Sequence, residues 1–312
     1  MADQPKKKSG FISNLLTVLL LMVAVVYVFF PGLMVSGLYM LREVSANLEI
    51  KTVTVDGQKI VYADNGRKAP AIVLVHGFGA NRTSWYGVVK ELGRHYRVIV
   101  PDMPGFGQSS HLSNASYDIS RQAARLDGFF AAVGAANPIL VGNSLGGYVS
   151  AYYAATRPGK IASLVLIDSA GVTSPELSDL AKFLRQGTNV LIPEHSEDVT
   201  LLLQFAYYKP PFIPKPFRRA VGNEMIAAKS WNEKIWRDME ASPRLDSLLT
   251  NITAKTLVIW GDHDRIIHPG TAAVFTNGIR GSELLVVSNC GHVPQMERPK
   301  ETAEAIIGFT GK

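Results

Sequence analysis

The sequence predicts an α/β fold: a mostly parallel sheet of eight strands with helices on both faces, a helical insertion late in the chain and a transmembrane helix at its start. Three observations carry this. Short, mostly apolar runs recur at residues 71–75, 97–100, 139–141, 163–167, 256–260 and 283–287, with helix-patterned stretches between the later ones, as strands buried on both faces require. Residues 172–251 hold amphipathic stretches but no strand pattern. Residues 9–41 carry no charge, and residues 11–30 within them are long enough to cross a bilayer as a helix.

In chain order, Lys6-Lys7-Lys8 precedes that apolar run, and only Arg42 and Lys51 follow it closely. The basic excess places the N-terminus in the cytoplasm and the body on the non-cytoplasmic side. The run ends in Tyr-Val-Phe-Phe-Pro rather than at a small-x-small site, which favours a retained anchor over a cleaved signal peptide. Pro31-Gly32 breaks the helix, and residues 33–41 continue along the interface. Residues 50–55 and 59–63, joined at Asp56-Gly57, form a hairpin. Adding the six apolar runs completes eight strands. Helices are expected at 119–133, 146–156 and 271–277, and inside the insertion at 177–184 and 224–240.

The chain divides accordingly into residues 1–47 (tail, membrane helix and interfacial segment), 48–171 with 252–312 (the sheet domain), and 172–251 (a helical cap over the C-terminal edge of the sheet, where sites form in open α/β sheets). At 312 residues and 47% hydrophobic content, a sizeable core is available and a disordered or fibrous class is excluded. The single cysteine, Cys290, rules out an internal disulfide and a zinc cluster. The net charge of +6 raises nucleic acid as a partner, but no recognition motif accompanies it.

Chemistry concentrates at Val141-Gly142-Asn143-Ser144-Leu145-Gly146-Gly147. A serine on a sharp strand-to-helix turn sits in a strained backbone, and its neighbours two residues away on each side must lack side chains. A serine is a poor nucleophile without a base, and the base needs an orienting carboxylate. His292 follows the last strand. His95, His111 and His195 lie in helix-end or loop settings, His263 and His268 share a loop with the candidate acids, and His76 orders the loop after the third strand. Three acids follow strands after Ser144: Asp264, Asp262, which can cap its own turn, and Asp168, which can cap a loop; a preference in that order leans on the family resemblance that follows.

His76-Gly77-Phe78-Gly79, Gly142-Asn143-Ser144-Leu145-Gly146-Gly147, Trp260-Gly261-Asp262-His263-Asp264 and Asn289-Cys290-Gly291-His292 resemble the α/β-hydrolase family. With Met296-Glu297-Arg298-Pro299 and the N-terminal apolar helix, they resemble its membrane-anchored monoacylglycerol lipase branch. The resemblance implies Ser144 as nucleophile, His292 as base, Asp264 as acid, and the backbone N–H groups of Phe78 and Leu145 as an oxyanion hole. It implies acyl transfer in two steps with no metal or organic cofactor. Serine rather than aspartate at the elbow departs from the haloalkane dehalogenase and epoxide hydrolase branches.

Between Asp198 and Glu224 there is no acid, and Phe205, Tyr207, Tyr208, Lys209, Phe212, Lys215, Phe217, Arg218 and Arg219 lie in that gap. Aromatic and basic residues together suit an anionic bilayer surface; a cap helix packed on the sheet with solvated lysines is the plainer account. Phe205, Tyr207, Tyr208 and Phe212 are the candidate substrate-binding residues in the cap. The expected partners are a lipid ester, a monoacylglycerol or similar single-chain lipid, and the bilayer. A small-ester or carbon–carbon bond hydrolase of the same fold, and a non-catalytic binding protein, are the other classes. Nothing in the sequence specifies an oligomeric state.

Overall fold

The computed structural model describes residues 9–311; the Lys6-Lys7-Lys8 cluster lies outside them. The chain opens with α1 (Ser9–Phe29) and α2 (Pro31–Ser45). Where the sequence suggests one membrane-crossing helix, no single helix among the described residues is long and apolar enough to cross a membrane. The segments Ser13–Phe29 and Pro31–Ser45 pass that test only as a pair, bent by 103°. The bend has a local cause: Pro31 has no N–H to continue the helix and pushes Phe30 out of helical conformation, to φ −133° and ψ 49°. The apolar side chains of α1 stand in the open, Leu20 69% and Phe29 70% exposed. Near its C-terminal end α2 is fastened to the body by Glu43, which accepts from Tyr86 Oη (2.7 Å) and pairs with Arg82 (3.3 Å).

Strands β1 (Glu49–Val55) and β2 (Gln58–Asp64) form the expected hairpin. Asp56 and Gly57 both take positive φ, 50° and 70°, as a two-residue turn matching strand twist demands. Then come β3 (Ala71–Val75), α3 (Tyr86–Leu92), β4 (Arg97–Pro101), α4 (Ile119–Val133), β5 (Ile139–Asn143), α5 (Leu145–Thr156) and β6 (Ser163–Ile167). After β6 lie α6 (Asp179–Arg185), α7 (Val199–Ala206), α8 (Lys215–Ala227) and α9 (Lys229–Glu240). The chain closes with β7 (Lys255–Gly261), α10 (Thr271–Gly278), β8 (Glu283–Val287), α11 (Pro294–Glu297) and α12 (Pro299–Thr310).

The eight strands form one sheet in the order β1-β2-β4-β3-β5-β6-β7-β8. β2 is antiparallel to both β1 and β4, and all other pairs are parallel. Alternate residues of each central strand serve opposite faces. Val73, Leu140, Leu164 and Val258 pack with Phe129 of α4, Tyr153 of α5 and Phe275 of α10. Ile72, Val141, Val165 and Leu257 pack with Val88 and Leu92 of α3 and with Ile306 and Phe309 of α12. Both faces are therefore covered, which is why these strands read as apolar throughout.

Residues 172–251 contain no strand. The helix expected at 177–184 begins at Asp179 because Ser178 Oγ caps it, accepting from the Ala181 N–H at 3.0 Å. The helix expected over 224–240 is divided at Ala228, and α7 had no counterpart in the sequence reading. α6 and α7 share a small core in which Leu180 and Phe205 pack with Val190 and Ile266. α9 is fastened to the body by Trp231 Nε1, which donates to Gly105 O at 2.7 Å, and by Asp238, which accepts from the Tyr117 N–H at 2.9 Å.

Candidate active site

Ser144 sits between β5 and α5 at φ 55° and ψ −117°, a region that costs a non-glycine residue about 1–3 kcal/mol. The surroundings hold it there. Its N–H donates to Ile167 O (3.0 Å), and its carbonyl accepts from Tyr148 and Ala170 (3.0 and 3.1 Å). A Cβ on Gly142 would strike the Gly146 carbonyl, and one on Gly146 would strike the Val75 carbonyl. Both glycines are thus required by backbone passing backbone, which lets α5 start immediately beside β3.

His292 is 5% exposed, and its Nδ1–H donates to Asp264 Oδ2 at 2.7 Å. Asp264 is equally buried; its other oxygen accepts from the N–H groups of Ile266 and Ile267 at 2.8 and 3.0 Å. The histidine loop is held to the elbow by Asn143, whose Nδ2 donates to His292 O and Ile167 O, both at 3.1 Å. A Cβ on Gly261 would strike the Gly291 carbonyl, so the loops carrying Asp264 and His292 touch backbone to backbone. Among the described residues the Ser144 hydroxyl makes no hydrogen bond; such bonds often tighten only with substrate present.

The other two acids are engaged differently. Asp262 Oδ1 bonds His263 Nδ1 (2.6 Å) and accepts from the Cys290 N–H (3.1 Å). Asp168 is fully buried; its Oδ1 accepts from the Gly261 N–H at 2.9 Å, and its Oδ2 has no hydrogen-bond partner. Burial, and then the neighbouring Asp264 charge, raise its pKa well above the usual carboxylate range. The shift favours the protonated form of Asp168, and Asp264 is the carboxylate bonded to His292. Donor atoms of Asp168, Asp264 and His292 lie within 4.8 Å of one another. Two of the three, Asp264 and His292, are already engaged with each other by the 2.7 Å bond.

The loop after β3 is ordered by His76, which is buried: Nδ1–H donates to Gly77 O (2.8 Å) and Nε2 accepts from the Met103 N–H (3.0 Å). This pattern fixes the neutral ring, and burial lowers its pKa. A Cβ on Gly77 would come 3.1 Å from Ser144 Cβ, so the loop passes directly over the serine. Among the described residues the N–H groups of Phe78 and Leu145 have no acceptor. The Phe78 ring is edge-on to Phe106 and Trp236.

The cap candidates do not converge on one place. Phe205 is fully buried in the small cap core, edge-on to Phe183. Phe212 is 93% exposed. Tyr207 and Tyr208 lie beside the histidine loop: the His292 N–H donates to Ala206 O at 2.8 Å, and the Tyr208 ring packs tilted against His263 with centroids 4.4 Å apart. The sequence reading missed Asn143 as a clamp and the set of buried Arg82 and Asp102 with half-buried Glu43. Arg82 bonds Asp102 Oδ2 at 2.6 Å, linking α2 to the loops on either side of His76. No local spacing announces contacts that long-range.

The chain matches the alpha/beta hydrolase fold family over residues 70–299. Lipase 1 of Psychrobacter immobilis is 35% identical over 85% of this chain and 84% of that protein. Monoacylglycerol lipase abhd6-B of Xenopus laevis is 29% identical over 91% and 88%. A crystal structure of a membrane phospholipase A, a bacterial virulence factor, superposes with a TM-score of 0.88 at 36% identity, covering 96% of this chain and 97% of that one.

Proposed function

The chain belongs to the α/β-hydrolase fold family, and from that membership we propose that it is a membrane-anchored serine hydrolase that cleaves carboxylic esters of single-chain lipids, monoacylglycerol foremost. The observation that carries the reaction is the buried Asp264–His292 pair, held by Asn143 to the elbow that carries Ser144. In this reading Ser144 attacks the ester carbonyl while His292 takes its proton. Asp264 keeps the remaining ring proton on Nδ1 and stabilises the imidazolium. The N–H groups of Phe78 and Leu145 receive the oxyanion of the tetrahedral intermediate, with the N-terminus of α5 adding a favourable field. Collapse expels the alcohol, which takes its proton from His292, and water repeats the attack on the acyl-enzyme. Cys290 is no rival nucleophile, since burial pushes its thiol pKa up.

Residues 172–251 act as the cap over residues 48–171 and 252–312. Residues 1–47 act as the anchor, with α1 in the bilayer, α2 turned along its surface and the body on the non-cytoplasmic side. The exposed apolar surface of α1 and the bend at Phe30 support this. One observation favours a second substrate: the membrane phospholipase A neighbour covers nearly the whole chain, α1 and α2 included. An acyl ester of a glycerophospholipid would meet the same triad from the same surface.

The test is fatty-acid release from monoacylglycerols of graded chain length and from lysophosphatidylcholine in detergent micelles, with Ser144→Ala as control. Release peaking at medium or long chains and absent from the variant is expected. Turnover confined to short soluble esters would remove the lipid assignment, and release by Ser144→Ala would remove the mechanism.

A further inference from the structure

A cleft of about 1080 Å³ lies where the bend between α1 and α2 meets the first turns of α8. One wall is apolar, from Phe29, Pro31 and Leu33. The other carries Lys215, Arg218 and Arg219. None of these three cations has a carboxylate within ion-pair distance among the described residues; Arg218 Nη1 donates to Thr200 Oγ1 at 3.3 Å. Glu197 is the one carboxylate among the lining residues, and it is exposed. The two walls are held together by Tyr27 of α1 packing edge-on against Phe217 of α8, with centroids 5.4 Å apart.

Unpaired cations would ordinarily spread into solvent or find surface carboxylates. Here they face an apolar wall at the end of an exposed apolar helix, where lipid headgroups lie if α1 is in the bilayer. Guanidinium groups match phosphate oxygens in a bidentate fork, and the wall formed by Phe29 and Leu33 suits the start of an acyl chain. We infer that this cleft binds an anionic phospholipid, its phosphate at Arg218 and Arg219, as a ligand separate from the substrate at Ser144. The inference rests on the proposed placement of α1 in a membrane and is independent of the reaction.

The test uses the full chain in neutral detergent micelles, titrated with fluorescent phosphatidylglycerol, with phosphatidylcholine and inorganic phosphate as comparison probes. In Arg218→Gln/Arg219→Gln, phosphatidylglycerol should bind roughly 30-fold more weakly, at about 1 kcal/mol for each cation removed. Glu197→Gln should bind it about fivefold more tightly on the same scale. Hydrolysis of a short p-nitrophenyl ester should be unchanged in both variants, reporting an intact fold. Equal phosphatidylglycerol affinity in all three proteins would overturn the inference, as would equal affinity for phosphatidylcholine or displacement by equimolar inorganic phosphate. If the wild type binds phosphatidylglycerol in this arginine-dependent way yet hydrolyses no ester, the lipid site stands and the proposed reaction falls.

Discussion

Asp264→Asn changes one atom of the proposed triad and leaves its shape intact. The asparagine oxygen keeps the N–H groups of Ile266 and Ile267, which lie 2.8 and 3.0 Å from the aspartate Oδ1. The amide nitrogen is then directed at His292 Nδ1, where Asp264 Oδ2 accepts a proton at 2.7 Å. Two donors cannot share that line, so Nδ1 must become the acceptor and the ring proton moves to Nε2. A base carrying its proton there cannot take another from Ser144. Loss of the correct tautomer in such a triad costs about 10⁴ in kcat, or roughly 5.5 kcal/mol of transition-state stabilisation. Asp168 is poorly placed to substitute, because its Oδ1 is engaged by the Gly261 N–H rather than by His292 and burial disfavours its charged form. Asp168→Asn, which leaves the His292–Asp264 bond in place, should stay within about threefold of wild type, roughly half of the 1.36 kcal/mol that makes a decade. The assay is steady-state hydrolysis of a chromogenic ester between pH 6 and 9, with thermal unfolding to confirm the fold of each variant. Asp264→Asn retaining more than a tenth of wild-type kcat, or Asp168→Asn losing as much as Asp264→Asn, would refute this reasoning.

Three further outcomes follow from the same contacts. The folded pKa of Asp168 is raised, so its stabilising contribution is full below the unfolded value of about 3.9 and is lost as pH rises through the folded value; the stability gap between Asp168→Asn and wild type should widen in favour of the variant from about pH 4 upward in urea titrations. Gly146→Ala sets a Cβ against the Val75 and His76 carbonyls and should destabilise by about 3 kcal/mol or more. By contrast Gly308→Ala, with open space at its Cβ on the exposed side of α12, should stabilise by about 0.5–1 kcal/mol; the two unfolding midpoints together check the elbow geometry. Arg82→Met strands the fully buried Asp102 carboxylate that Arg82 holds at 2.6 Å and should cost about 3–5 kcal/mol in chemical denaturation.

The sheet was legible because its strands are buried on both faces: Ile72 and Leu74 point one way, Val73 and Val75 the other, so apolar residues run without a break. The elbow was legible because its steric demand is local, falling on Gly142 and Gly146. The choice among acids was not local. Asp262 and Asp264 stand two residues apart in one loop, and only the path of the chain turns Asp264 to His292 while Asp262 is taken up by His263 and the Cys290 N–H. The Asn143 clamp joins residues 149 apart in sequence, and the raised pKa of Asp168 follows from burial that no spacing encodes. The break at Pro31 was legible for a local reason, a proline having no N–H to continue the helix, and it separates α1 from α2 at Phe30; the expected single span was not found, since no one helix among the described residues is long and apolar enough to cross a membrane.

The most direct test of the central claim is mass-spectrometric mapping of the full-length protein in micelles after reaction with a long-chain alkyl fluorophosphonate. The account predicts a single phosphonyl adduct on Ser144, formed with loss of activity, absent from Ser144→Ala and strongly slowed in His292→Ala. Adduct formation elsewhere with Ser144 unmodified, or full inhibition of a Ser144→Ala enzyme that still releases fatty acid, would contradict it.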